Sequence, residues 1–245
     1  MNIPHEFPVL EMAAPACAEH ILHLLGLAIT EHGRATLAVS GGHSPALVFD
    51  AMRTTTDFPW KSLHVFFVDE RCVPPENKES NYRLANEHLF APLHFPRVHI
   101  HRIDGEIDPR NAAELYALNI QEAFNLKDGE LPVFDVIQHG MGADGHTASL
   151  FPGEPLIADR TGIAAAVKGP TAPKDRITLL PGVLLASRAT IFFLDGEDKR
   201  AALQQVLTGV EDPMKYPSQL LSRSQKDVDW FVADLPDITW PEPLS

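Results

Sequence analysis

Three stretches of this chain put polar residues and glycines directly after apolar runs. In residues 134–153, FDVIQHGMGADGHTASLFPG, the turn carries Asp144, His146, Thr147 and Ser149. A histidine placed there can take a proton near neutral pH. After LHVFFV come Asp69, Glu70 and Arg71. A carboxylate beside a guanidinium can handle a proton and hold an anion. After ATLAV come Ser40, Gly41, Gly42, His43, Ser44 and Pro45. Two glycines allow a sharp turn, Ser44 suits a helix cap and Pro45 a first helical position. A glycine turn feeding a helix start is an anion site in waiting. Arg176 and Lys199 follow as isolated cations, and Ser80-Asn81-Tyr82 opens a helix. Taken singly, each feature is also an ordinary turn, cap, solvated strand end or surface charge.

Several familiar chemistries are excluded by spacing. Gly140 to Gly145 spells G-x-G-x-x-G, the dinucleotide fingerprint. That fingerprint needs a long helix after its third glycine and an acid roughly 20 residues on. Here Pro152-Gly153 interrupts early, and GIAAAVKG offers no acid downstream. The first glycine loop lacks the lysine and spacing of a Walker loop, and no G-x-S-x-G nucleophile elbow occurs. His99 and His101 share a strand face, but no third ligand of suitable spacing accompanies them, so no metal is expected.

The positioning elements form an α/β pattern. The chain has 245 residues, ample for a core. Amphipathic or apolar segments predict helices over 12–32, after GGHSP, over NYRLANEHLF, over 110–125 behind Pro109, and from Glu197. Strands are predicted at 35–40, 63–70, 97–103, 133–140, 162–167, 176–180, 189–195 and 229–234. Near-continuous apolar strands alternating with helices imply one Rossmann-like α/β domain over residues 1–245, with a mostly parallel sheet covered by helices on both faces. Ligands of such sheets sit at the carboxyl ends of the strands, where the three stretches lie.

Net charge is −13, with 20 basic and 33 acidic residues. Without a basic cluster, nucleic acid is not an expected partner. An anionic substrate would need local cations, which makes Arg71, Arg176 and Lys199 informative. No run near the roughly 18 apolar residues of a membrane span is read, nor a signal peptide, so a cytoplasmic protein is expected. Two cysteines are too few for a disulfide framework.

With these residues assembled, the chain resembles the 6-phosphogluconolactonase family, within the glucosamine/galactosamine-6-phosphate isomerase superfamily. The matching stretches are LAVSGGHSPALVFDAM, VFFVDERCVPPENKESNYRLANEHL, FDVIQHGMGADGHTASLFPG, RITLLPGVL and LDGEDKRAAL. SGGHSP stands where SGGSTP is common, and Gln138 and His139 stand where apolar residues are usual. The resemblance implies hydrolysis of 6-phospho-D-glucono-1,5-lactone to 6-phosphogluconate in the oxidative pentose phosphate pathway. It implies His146 as general base, and Asp69 orienting a sugar hydroxyl or that histidine. Backbone N–H groups of Gly41–Gly42 or of Gly142–Gly145 are candidates for the oxyanion. Ser40, Gly41, Gly42, His43, Ser44, Arg71, Asn81, Gly142, Asp144, Arg176 and Lys199 are expected at the substrate, with the three cations as candidates for the phosphate. A monomer or homodimer with no cofactor is expected. The rival readings are a glucosamine-6-phosphate deaminase, whose turn tends to continue Asn-Glu-Pro, and a non-catalytic sugar-phosphate sensor.

Overall fold

A computed structural model describes residues 1–224 and 227–241, and of His43 only the backbone. Its centre is a seven-stranded sheet, all parallel. In chain order the strands are β1 (Asn2–Phe7), β2 (Ala35–Val39), β3 (Leu63–Phe67), β5 (Ile100–His101), β6 (Val136–His139), β9 (Ala189–Asp195) and β10 (Val228–Ala233). They lie in the order β1-β10-β9-β6-β2-β3-β5. Every residue of β2 and β6 is buried, as strands sandwiched between layers require. The core runs through Leu37, Val65, Ile137, Phe192 and Trp230.

Helix α1 (Leu10–His32) packs on helix α2 (His43–Met52) and against the sheet. By length and composition α1 could cross a bilayer. Here Ala13, Cys17, Ile21 and Leu25 on one face are fully or almost fully buried in the core. Helix α4 (Pro109–Phe124) starts as the sequence suggests: Asp108 accepts hydrogen bonds from the N–H groups of Arg110 and Asn111 behind Pro109. From α4, Tyr116 donates to Phe67 O at 2.7 Å, tying the helix to β3.

Several elements depart from the sequence expectation. The segment 63–70 is not one strand. It breaks at Val68, whose N–H donates to Val39 O while its carbonyl accepts from Leu179. Beyond the break, β4 (Asp69–Arg71) leaves the parallel sheet and pairs antiparallel with β8 (Asp175–Leu179), which pairs in turn with β7 (Ala164–Lys168). The apolar runs near 162–167 and 176–180 therefore build a second, three-stranded sheet. Residues 97–103 hold only the two-residue β5, behind a 3-10 turn at Arg97–His99. A 3-10 turn also occupies Glu197–Lys199, so helix α6 starts at Arg200 and runs to Thr208. Strand β1 was not anticipated. It is an edge strand containing Pro4, half exposed and without a clear apolar signal. The remaining helices are α3 (Asn81–Ala85), α5 (Pro181–Ala186) and α7 (Gln219–Ser222).

Candidate active site

The carboxyl ends of β2, β3, β6 and β9 open into one cavity of about 360 Å³. Ser40, Gly41, Gly42 and Ser44 line it from β2 and α2; Asp69 and Arg71 from β4; Asn81 from α3; Gly142 and His146 from the turn after β6; Arg176 from β8; and Lys199 from the turn after β9. The side chain of His43 lies outside the described residues.

The break at Val68 creates the acidic corner. Asp69 is buried and accepts from Ser149 Oγ at 2.5 Å and from Asn81 Nδ2 at 3.2 Å. None of its hydrogen bonds among the described residues goes to His146, which removes the histidine-orienting role considered for it. Next to it, Glu70 points the other way. Its two oxygens accept from the N–H groups of Arg71, Asn81 and Tyr82 and from Ser80 Oγ, all within 2.9 Å. Burial raises the Glu70 carboxyl above its usual range, against the pull of those four donors. Glu70 thus pins the start of α3 and sets Asn81 beside Asp69. A Cβ on Gly41 would fall 1.8 Å from Asn81 Oδ1, so the first loop needs glycine there for the asparagine to fit.

The turn after β6 is built around His146. Gly142 N–H donates to His146 O, and Gly145 N–H donates to Gly142 O. Gly145 has φ +81°, the left-handed region that favours glycine. The imidazole lies over Gly142, where a Cβ would stand 2.2 Å from the ring. Because both N–H groups are committed inside the turn, Gly142 and Gly145 do not supply the expected oxyanion donors. Asp144, expected at the substrate, does not line the cavity. Its Oδ1 sits 2.6 Å from His146 Nδ1. Burial disfavours the Asp144 charge, but the bond and attraction to His146 outweigh it and hold the carboxyl below its usual range. Thr147 Oγ1 anchors the turn to Gly140 O at 3.0 Å, and Ser149 anchors it to Asp69.

Gln138 and His139 end β6 fully buried. Gln138 Oε1 accepts from Ser40 N–H, and Gln138 O accepts from Ser40 Oγ at 3.0 Å. The glycine loop is therefore braced from the neighbouring strand. His139 Nδ1 meets Thr147 Oγ1 at 3.2 Å, and burial pushes the ring's pKa down to about 3.

Asp195, Gly196 and Asp198 also line the cavity and were missed in the sequence. Asp195 is bonded by Ser44 Oγ and lies 3.6 Å from Lys199 Nζ. The rule that strand ends carry function pointed to it, since Asp195 closes β9 in front of a glycine. Among the described residues, no group of three or more potential ligands could hold a metal ion.

A histidine fixed on a carboxylate, facing a cavity with three cations and two glycine turns, can move a proton beside a small bound anion. This is an α/β enzyme with its site at the carboxyl ends of parallel strands. The family model for glucosamine-6-phosphate isomerases/6-phosphogluconolactonase matches residues 9–230. A probable 6-phosphogluconolactonase of Schizosaccharomyces pombe is 34% identical over 241 residues, covering 94% of this chain and 93% of that protein. A 6-phosphogluconolactonase of Synechocystis is 32% identical over 206 residues, 84% of each chain. The crystal structure of 6-phosphogluconolactonase from Thermotoga maritima superposes with a TM-score of 0.82 at 27% identity, covering 95% of this chain and 100% of that one. The chain belongs to the glucosamine-6-phosphate isomerase/6-phosphogluconolactonase family.

Proposed function

We propose that this chain is a 6-phosphogluconolactonase: it hydrolyses 6-phospho-D-glucono-1,5-lactone to 6-phosphogluconate, a step of the oxidative pentose phosphate pathway. The observation that carries the mechanism is His146 Nδ1 at 2.6 Å from the Asp144 carboxylate. An ionised carboxylate only accepts, so Nδ1 carries the proton and Nε2 keeps its lone pair. His146 takes a proton from water through Nε2 as the water oxygen bonds to C1. The tetrahedral intermediate then collapses. The bond from C1 to the ring oxygen breaks, and the imidazolium returns its proton to that oxygen as the 5-hydroxyl forms. The new carboxylic acid ionises to solvent.

Asp69, with Asn81, supplies acceptors and donors for sugar hydroxyls. Arg71, Arg176 and Lys199 meet the substrate's negative charge, which the acidic protein as a whole would repel. The enzyme works as a soluble cytoplasmic protein on a small phosphosugar lactone, with neither nucleic acid nor membrane as partner. No step in this scheme calls for a cofactor.

The test is lactonase activity on freshly generated lactone, with spontaneous hydrolysis subtracted, for the wild type and His146→Ala. Turnover in the wild type and its loss in the variant are expected. Wild-type-like turnover by His146→Ala removes His146 from the chemical step. Ammonia release from glucosamine 6-phosphate would decide for the deaminase that shares the family.

A further inference from the structure

Strand β6 ends in two polar residues, Gln138 and His139, where the family usually has apolar ones, and both are fully buried. Side chains alternate along a strand, so the two project on opposite faces of the sheet. Each meets a different loop of the cavity. Gln138 Oε1 accepts from Ser40 N–H at 3.2 Å, and its backbone carbonyl accepts from Ser40 Oγ at 3.0 Å. Gln138 Nε2 donates to His139 O at 3.1 Å, so both ends of the amide are used. The glutamine ties the Ser40–Ser44 loop to the end of β6.

His139 reaches the other loop. Its Nδ1 lies 3.2 Å from Thr147 Oγ1, and Thr147 directly follows His146. The threonine hydroxyl has a single hydrogen, which it donates to Gly140 O at 3.0 Å. The contact with His139 is therefore made by a proton on Nδ1, and Nε2 keeps its lone pair. That Nε2 is buried with no hydrogen-bond partner among the described residues. A buried acceptor without a donor costs stability, which an apolar side chain at the same place would not. Burial also holds the ring neutral, with its pKa at about 3. The bond to Thr147 therefore persists wherever His146 can act as a base.

The His139 ring is held in its plane. His139, Phe192 and Trp230 are register partners across β6, β9 and β10. Their rings stack, with centres 5.1 Å apart for the first pair and 4.1 Å for the second. The stack keeps Nδ1 on Thr147. With Thr147 buried, the neighbouring His146 faces the cavity. The far side of the turn is fixed in a similar way, where Ser149 Oγ donates to Asp69 at 2.5 Å. The base stands between two anchors, and His139 supports the nearer one.

We infer that Gln138 and His139 form a buried polar brace: His139, through Thr147, positions the general base His146, and Gln138 positions the Ser40–Ser44 loop. The inference rests on the lactonase reading. Neither residue lines the cavity, so both act through the loops they hold. Their effects fall on different steps. A slack His146 turn misplaces the His146 Nε2 from the attacking water, which lowers kcat. A slack Ser40–Ser44 loop loosens one wall of the cavity before any chemistry, which raises KM.

The test is steady-state lactonase kinetics, with spontaneous hydrolysis subtracted, on the wild type, His139→Leu, His139→Asn, His139→Gln and Gln138→Met. His139→Leu is expected to lower kcat about tenfold with KM little changed. His139→Asn sets an amide N–H where Nδ1 stands and should recover most of that kcat. His139→Gln carries its amide farther out, where Nε2 stands, and should not. Gln138→Met keeps the length of the side chain and should raise KM with kcat near wild type. Thr147→Val cuts the same link from the other side, so adding His139→Leu to it should lower kcat no further. His139→Gln takes the place of His139→Leu in that cycle if the leucine variant does not fold. Imidazole nitrogen NMR of the wild type should find the His139 proton on Nδ1. Unchanged kcat in His139→Leu, equal rescue by asparagine and glutamine, or a His139 proton on Nε2 overturns the inference. So does the same change in kcat and KM for the Gln138 and His139 variants, which a merely structural strand end would give. Wild-type protein without lactonase activity overturns the lactonase reading itself, while the NMR still decides the bond to Thr147, so the two failures are told apart.

Discussion

His146 Nδ1 and Asp144 Oδ1 are 2.6 Å apart, two residues apart in the chain and locked by one glycine turn. The same carboxylate oxygen also accepts from His146 N–H at 3.1 Å. Backbone and side chain of the histidine are therefore oriented by a single group. Asp144→Asn keeps the shape but offers an amide that can turn its donors toward Nδ1. That favours the wrong tautomer, with the proton on Nε2. We expect kcat to fall by about a hundredfold with KM little changed. Steady-state kinetics above the spontaneous background measure this, and an unchanged kcat refutes the orienting role.

Gly142→Ala probes the same geometry from below. Its Cβ would stand 2.2 Å from the His146 ring and 2.7 Å from Asp144 Oδ1. The ring must shift, so loss of kcat is expected alongside a modest fall in thermal midpoint. Normal turnover would mean that the ring's resting place is not its working place.

Acid stability should depend on His64 and His139, neither of which takes part in the proposed proton transfer. Burial, then the neighbouring His99 and His101, lower the His64 pKa to about 4, and burial lowers His139 to about 3. Both folded pKa values lie below the unfolded value of about 6.5. The unfolded chain therefore binds more protons as pH falls below about 6.5, and stability drops from there toward pH 4 and 3. The urea midpoint is expected to fall steadily between pH 7 and pH 4.5. His64→Gln should flatten part of that slope, and an identical slope would show that His64 does not contribute.

Asp195 holds Lys199 and Ser44 but also sets a negative charge beside one of the cations proposed to meet the anionic substrate. Asp195→Asn removes the charge and keeps a polar group. Tighter binding of 6-phosphogluconate and a lower KM for the lactone are expected. Weaker binding would mean that Asp195 serves mainly to aim the lysine.

Much of the site was legible because its residues stand directly after buried strands. ATLAV, FFV and VIQH are all buried, and apolar residues dominate the first two, so the turn that follows each marks an exit from the core. Asp195 obeys the same logic after ATIFFL and was overlooked beside the more conspicuous Lys199. Asp144 was noticed but assigned to the substrate, because spacing alone does not say which way a carboxylate in a turn will face.

From the sequence alone came the α/β class, the places where strands end, and the residue types available there. Apolar periodicity and glycine placement are local properties, and they are read without a partner. The tertiary structure decided which strand each apolar run joins. It took Asp69–Arg71 out of the parallel sheet at Val68 and paired it with Asp175–Leu179, far along the chain. That register sets Arg71 opposite Arg176 and brings Ser149 to Asp69. Such pairings depend on hydrogen bonds and packing between distant segments. No window of neighbouring residues contains that information.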